Sequence, residues 1–590
     1  MSPSPSDRTP LLSEEPRRRP SNAVDGDDET GYDPDPSPPP GPFRLRETLL
    51  FIWALLATAG VIVLAVWSQH SRQTRHEPSA PEKRNLIFMV SDGMGPASLS
   101  LTRSFRQHIH DLPHNDTLTL DQNFWGTSRT RSSNSLVTDS AAGATAFSCG
   151  KKSYNSAISV TPDYEPCGTV LEAAKRAGYK TGLVVTTDIT DATPACFASH
   201  VLTRSMNDDI ALQEVGDGPL GRVVDLMLGG GRCHFLPNGT DDSCRLDDTD
   251  VVSIAQSQFN WTYASDRAGF DDLDGGENVN MPFLGLFAHY NVPFEIDRRH
   301  MNHIYPSLTE MTRTALRALE KATEDSDQGF FLMIEGSRID HAGHINDPAA
   351  QVHEVLEYDN AFEIVLEFIE KSDTETILVA TSDHETGGLS TALQEPGQWP
   401  VYDWFPKALA QANSSAEYLA LRLAKHVVEA PSESKKDLKK WINKNLVIAG
   451  LGITDALDEE LEALAEAPLD GTYIFAAMIS LRAHVGWSTH GHSAVDVNIY
   501  SSGGRGVDKI RGNMENTDIG NFLHEWLDVD VGAITKELKA KADRAKHLGA
   551  DRLLKEDLAA QVAGSVEGPD HWMEQQRMLN GQRWYGNGEW

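Results

Sequence analysis

The sequence predicts an α/β domain built around a mostly parallel sheet, placed after a single N-terminal membrane-spanning helix. Three observations predict it. Apolar runs alternate with helix-like segments beyond about residue 84, four of those runs end on polar residues, and residues 49–67 form an uncharged apolar stretch.

Residues 1–47 are rich in Pro, Ser, Asp and Arg and lack periodic apolar positions, which predicts a disordered cytosolic tail. The uncharged stretch, at about 1.5 Å per residue, can cross a hydrocarbon core of roughly 30 Å, so an anchor is expected over 48–68. It is too long and too far from the N-terminus for a cleaved signal peptide. A polar linker covers 69–84. Arg44 and Arg46 precede the stretch while Arg72, Arg75, Lys83 and Arg84 follow it, so basic residues do not set its orientation. Two other features do. Asp7, Arg8, Thr9, Pro10, Leu11 and Leu12 resemble an acidic dileucine signal read by cytosolic sorting adaptors. The sequons at Asn115, Asn238, Asn260 and Asn413 all follow the stretch, where lumenal glycosylation occurs. The expectation is a single-pass type II protein of a vacuolar, lysosome-like membrane, with the plasma membrane as the alternative.

The main domain is expected over 85–532. Strand candidates at 85–90, 181–187, 330–334 and 376–381 run into Asp92, Asp188, Glu335 and Asp383 with His384. Ligands bind at the carboxyl ends of strands in open parallel sheets, so this repeated placement points to a site there. Residues 395–480 interrupt the pattern and read as an insertion or lid. Residues 533–590 read as a C-terminal extension with one amphipathic helix and a polar tail.

The chain has 86 acidic against 52 basic side chains, a formal charge of −34, which excludes nucleic-acid binding through a general basic field. An anionic substrate must therefore meet a local positive charge, and bound cations held by Asp, Glu and His supply one. None of the five cysteines forms a CxxC pair. Cys149 with Cys167 and Cys233 with Cys244 would close two short loops and leave Cys196 over, although sequence leaves the connectivity open.

Ser140 precedes a run of small residues that would begin a helix, where free N–H groups meet an anion and small side chains let a phosphate approach. Alone, such a serine is more often a helix cap. Its neighbours shift the balance. Asp340 and His344, four apart, share one face of a helical turn as two ligands of one ion do, Asp383 with His384 form a second pair, and His490 adds a nitrogen. With Asp92 and Glu335 at strand ends, these residues make a two-metal hydrolytic site.

From Asp92 to His490 the sequence resembles the alkaline phosphatase family. The matching pieces, in order, are Ser91 to Gly95, Thr138 to Ala142, Asp191 to Ala195, Arg204, Glu335 with Gly336, Asp340 with His344, Thr381 to His384, and Thr489 to Gly491. The resemblance implies a three-layer sandwich with a crown subdomain, a homodimer, and hydrolysis of phosphate monoesters through a phosphoserine on Ser140. It implies two Zn2+ and one Mg2+ per subunit. Asp340, His344 and His490 would hold one zinc, Asp92, Asp383 and His384 the other, and Asp92, Thr193 and Glu335 the magnesium, with Asp191 orienting its waters. Arg204 would grip two phosphate oxygens. His341 stands where bacterial members usually carry Lys, and either contacts phosphate through water or caps a turn; His492 is read as structural. Two other readings remain open: a phosphodiesterase of the same superfamily, and a noncatalytic membrane glycoprotein that keeps metals for stability. A sulfatase is excluded because Ser140, Ala141 and Ala142 lack the C/S-x-P-x-R setting.

Overall fold

The four apolar runs lie side by side. In the computed structural model, which describes residues 43–73, 83–241, 243–394 and 397–547, they become β1 (Arg84–Val90), β3 (Lys180–Asp188), β7 (Phe330–Glu335) and β8 (Glu375–Thr381), with β2 (Phe124–Arg129), β4 (Leu226–Gly230), β5 (Thr262–Ala264) and β6 (Phe283–Leu286) between them in sequence. Two short ladders follow: β9 (Glu385–Thr386) pairs with β12 (His492–Ser493), and β10 (Ser390–Thr391) pairs with β11 (Val485–Gly486). With β13 (Val497–Ser501) and β14 (Gly512–Glu515), ten strands form one sheet in the order β14-β2-β13-β8-β1-β7-β3-β4-β6-β5. Within it β13 runs antiparallel to β2 and β8, and every other pairing is parallel.

Both faces of the central strands are buried, as their near-continuous apolar sequence requires. Alternate side chains of β1 enter two different cores: Leu86, Phe88 and Val90 join one, Ile87 and Met89 the other. Over the first core lie the helices Val170–Arg176 and Asn516–Leu527, the latter through Ile519, Phe522 and Leu523. Over the second lie Leu308–Ala322 and Pro348–Lys371. The first of these shows why: Ser307 and Glu310 form a reciprocal cap, and Leu308, Met311, Ala315 and Leu319 make one apolar stripe. The result is a helix, sheet, helix sandwich.

A third core joins residues between β10 and β11 in sequence to Leu101, Phe105, Phe294 and Ile345 of the main domain. There the helices Ala416–Glu429, Asp458–Glu466 and Gly471–Ala483 pack Leu419, Leu423, Leu464, Phe475 and Ile479 together. The stretch 395–480, expected as an insertion, is largely helical, and its last helix continues to Ala483. Beyond the sheet, the helix Val531–His547 buries Ile534 and Leu538 against the first core, and the rest of the expected extension lies outside the described residues.

The N-terminal unit, residues 1–79, is distinct from the unit formed by residues 80–590. Among its described residues is the helix Phe43–Gln73, longer at both ends than the expected 48–68. Its side chains over residues 48–64 are exposed, among them Leu50, Phe51, Trp53 and Ile62. Among the described residues no helix is long and apolar enough to cross a membrane. The expected tail through residue 42, its dileucine-like segment and most of the linker lie outside the described residues.

Candidate active site

The order β8-β1-β7-β3 sets four strand ends next to one another, and with them the polar residues that follow. Asp383 and His384 leave β8, Asp92 follows β1, Glu335 closes β7, and Asp191 caps the helix Ala192–Ala198 after β3. Close packing holds them there. Gly93 has φ +75°, and a Cβ on it would stand 2.6 Å from Asp340 Cα, so only glycine lets β1 meet the next element.

Ser140 opens the helix Ser140–Cys149 and is buried. Asp139 caps that helix by accepting from Ala142 N at 3.0 Å. Gly143, on its inner face, leaves room for Asp383, whose Cβ would be 2.9 Å from an added methyl. Ser140 Oγ consequently lies 3.1 Å from His384 Nε2. The same His384 nitrogen is 3.2 Å from Asp383 Oδ2 and 3.5 Å from Asp92 Oδ1, and neither oxygen has another hydrogen-bond donor among the described residues.

Asp340 and His344 share a face of the helix Arg338–His344, with His344 Nε2 3.2 Å from Asp340 Oδ2. The third group that joins them is His492, not the expected His490. His492 Nε2 lies 3.2 Å from His344 Nε2 and 3.6 Å from Asp340 Oδ1. His490 is exposed, turns its Nδ1 to the His344 carbonyl at 2.8 Å and sets its ring edge-on to Tyr473. The cause is strand pairing: β12 places His492 opposite Thr386, just beyond Asp383 and His384, and stacks it on the His384 ring at 3.5 Å. His492, read from the sequence as structural, thus stands with Asp340 and His344 among the groups that could hold a metal ion.

The donor set fits cations. His492 Nδ1 faces the Thr138 carbonyl and His344 Nδ1 faces the His490 carbonyl, and a carbonyl oxygen only accepts. In the neutral rings both hydrogens therefore sit on Nδ1, and two Nε2 lone pairs point at each other beside a carboxylate. A positive ion resolves that repulsion. Asp92, Asp383 and His384 form a second group of ligand atoms within 4.8 Å of one another. Without positive charge, burial pushes the Asp92 carboxyl well above its usual range, and Asp383, Asp340 and Glu335 add to the effect. Burial likewise raises Glu335 to about 8. Asp340 is held well below the usual range despite its burial, through His344 and His492. Thr193 lies beside the Glu335 carboxyl, which accepts from Ser337 Oγ at 2.5 Å; with Asp92 these offer the hard oxygen donors that suit magnesium.

Arg204 completes the site from the helix side. Its Nη2 donates to Asp191 Oδ1 at 2.7 Å and its Nη1 is 3.7 Å from Asp139 Oδ2, while its Nε, buried, has no hydrogen-bond partner among the described residues. Burial opposes its charge, but Asp191 and Asp139 outweigh that and raise its pKa further. Asp139, which both caps the serine helix and braces this guanidinium, was not singled out by the sequence reading. His341 is buried, and burial followed by Arg338 pushes its imidazole down to about 3. Elsewhere Cys149 is joined to Cys167 and Cys233 to Cys244, Cys196 is a buried thiol, and Asn115, Asn238, Asn260 and Asn413 are all exposed.

A helix-capped serine, an arginine fork and clustered carboxylates and imidazoles at the carboxyl edge of a parallel sheet define a hydrolase of phosphate esters that works with cations. The family model for alkaline phosphatase matches residues 83–529, and the chain belongs to that family of metal-dependent phosphomonoesterases. The repressible alkaline phosphatase of Saccharomyces cerevisiae is 51% identical over 85% of this chain and 91% of its own length. The alkaline phosphatase of Schizosaccharomyces pombe is 45% identical over 85% of this chain and 90% of its own. Among solved structures, the cold-active alkaline phosphatase of Shewanella sp. is 31% identical with a TM-score of 0.62, covering 75% of this chain and 99% of the other. A mutant of the TAB5 alkaline phosphatase with Mg bound in its M3 site is 26% identical with a TM-score of 0.53, covering 76% and 99%.

Proposed function

We propose that the chain hydrolyses phosphate monoesters through a phosphoserine on Ser140, at a site built for two zinc ions and one magnesium ion. The observation that carries this reading is the Ser140 hydroxyl 3.1 Å from His384 Nε2, beside two buried carboxylate oxygens that converge on the same nitrogen. Asp340, His344 and His492 would hold one zinc, Asp92, Asp383 and His384 the other, and Asp92, Thr193 and Glu335 the magnesium near Asp191. When bound, these ions supply the positive charge that makes a hydroxyl or water more acidic and offsets the phosphoryl charge.

The chain's own groups do the rest. The small residues after Ser140 let the phosphoryl group approach the helix N-terminus, whose N–H groups face it. Arg204, braced by Asp191 and Asp139, grips two phosphoryl oxygens and holds phosphorus in line with Ser140 Oγ. Oγ gives up its proton and attacks phosphorus, the Oγ–P bond forms, and the bond to the ester oxygen breaks, the alcohol leaving with a proton in place of the phosphoryl group. A water then attacks the same phosphorus and restores the hydroxyl as phosphate leaves.

The same proposal extends to the setting. The uncharged stretch 49–67 anchors the protein in a vacuolar-type membrane with its catalytic domain in the lumen, its sequons glycosylated, its tail open to a sorting adaptor, and two chains paired as a homodimer. Support comes from the apolar side chains exposed over residues 48–64 and from four exposed sequons. Turnover of an aryl phosphate by the metal-loaded protein and by Ser140→Ala, with metal analysis of both, tests the chemistry. Full zinc with activity lost only in the variant supports it; equal turnover by both rejects it.

A further inference from the structure

Arg338 is 2% exposed. It sits one helical turn before His341 on the helix that also carries Asp340 and His344. Its plane stacks on Phe294 at 3.7 Å, and its Nη1 donates to the Val292 carbonyl at 3.1 Å. Nη2 donates to both Glu417 oxygens, at 3.1 and 2.9 Å. Its Nε donates to His341 Nδ1 at 3.2 Å.

Those contacts have one chemical consequence. A guanidinium in a protein keeps all its hydrogens and only donates, so the nitrogen it faces must accept. His341 Nδ1 therefore carries the lone pair, and the ring hydrogen sits on Nε2, on the far side of the ring from Arg338. Asp340, Asp191 and His344 are the other ionisable neighbours of that ring, and Asp191 is the carboxylate that braces Arg204.

Glu417 belongs to the insertion and stands at the start of the helix Ala416–Glu429. That helix start is fixed from the main domain by two buried carboxylates: Ser415 N donates to Asp297 at 3.0 Å, and Ala416 N to Asp347 at 2.8 Å. The acceptor that aims Arg338 is thus itself held in place.

We propose that Arg338, clamped by Glu417 of the insertion, is a positioning residue that fixes the orientation and tautomer of His341 so that its Nε2–H serves the phosphoryl-binding side of the site. This rests on the function proposed above and adds a part to it. The insertion then contributes to phosphate affinity through one guanidinium, without touching the substrate.

A double-mutant cycle in the full-length, metal-loaded protein tests this, with KM and kcat for an aryl phosphate and the inhibition constant of inorganic phosphate as readouts. Arg338→Met is expected to raise KM and the phosphate inhibition constant together by about fivefold, the size of one hydrogen bond. In a His341→Ala background the same change is expected to add less than about twofold. Glu417→Gln, the milder variant, is expected to move both constants the same way by about twofold and to lose that effect in the same background. An additive cycle, or an unchanged phosphate constant in Glu417→Gln and Arg338→Met alike, overturns the proposal. If Arg338→Met does not fold, the Glu417→Gln cycle decides alone. Ser140→Ala, measured beside them, reports on the nucleophile and leaves the clamp untouched, so the two ideas fail separately.

Discussion

The strand-end cluster and the insertion are made by opposite rules. At the strand ends charge is buried: Asp92, Glu335, Asp383 and His384 sit in the interior, and Asp92 Oδ1 and Asp383 Oδ2 lack an ordinary hydrogen-bond donor among the described residues. In the helical region between β10 and β11, apart from Glu417 on the buried Arg338, charged groups pair near the surface: Lys435 and Lys439 with Glu462, and Arg482 with Asp455 and Glu460, over an apolar core. Exposed pairs of that kind contribute roughly 0–1 kcal/mol each, so packing holds the insertion together. Buried carboxylates clustered without counter-charge oppose folding, and they persist because a ligand repays the cost. The difference separates the part of the molecule built to bind ions from the part built to be stable.

Substitutions sharpen or break this contrast. The largest effect is expected at Ser140→Ala, which removes the attacking oxygen and should lower kcat by about 10³ or more, measured on an aryl phosphate. Next comes His492→Ala, expected to cost about 10²-fold in activity and roughly one zinc per chain by elemental analysis, whereas His490→Ala should stay within a fewfold of wild type. Equal loss in the two variants would undo the assignment of His492. Arg204→Lys keeps the charge and loses the fork; kcat/KM should fall about tenfold or more. The smallest effect is outside the site. Burial raises the Asp297 carboxyl to about 7, so its contribution to stability is full below about pH 4, where it is protonated folded and unfolded alike, and is lost as pH rises through 7. Asp297→Asn keeps an acceptor for Ser415 N and removes that ionisation. The variant should gain stability over wild type between pH 5 and 8, on the order of 1 kcal/mol, by denaturant titration at both pH values.

Much of this was legible in the sequence, for reasons that also mark its limit. The central strands are buried on both faces, so 85–90, 181–187, 330–334 and 376–381 read as unbroken apolar runs and fall within one residue of β1, β3, β7 and β8. Their polar endings followed directly. The outer strands gave no such signal: β2, Phe124–Arg129, buries only Gly126 and Ser128, and β5 is three residues long. Two histidines stand two apart at 490 and 492, and nothing local says which turns inward. That choice is made by the pairing of His492 with Thr386, a contact between distant parts of the chain. Nor does local sequence show that Asp139 reaches Arg204, or that Arg338 meets Glu417, because both contacts join separate elements.

The account turns on a covalent bond between Ser140 and phosphorus. Rapid acid quench of the metal-loaded protein in the presence of phosphate or an aryl phosphate, followed by digestion and peptide mass spectrometry, observes that bond directly. The account predicts a phosphoryl group on the Ser140 hydroxyl in the wild type and none anywhere in Ser140→Ala. An active wild-type enzyme whose phosphoryl group is trapped on a different residue would contradict it.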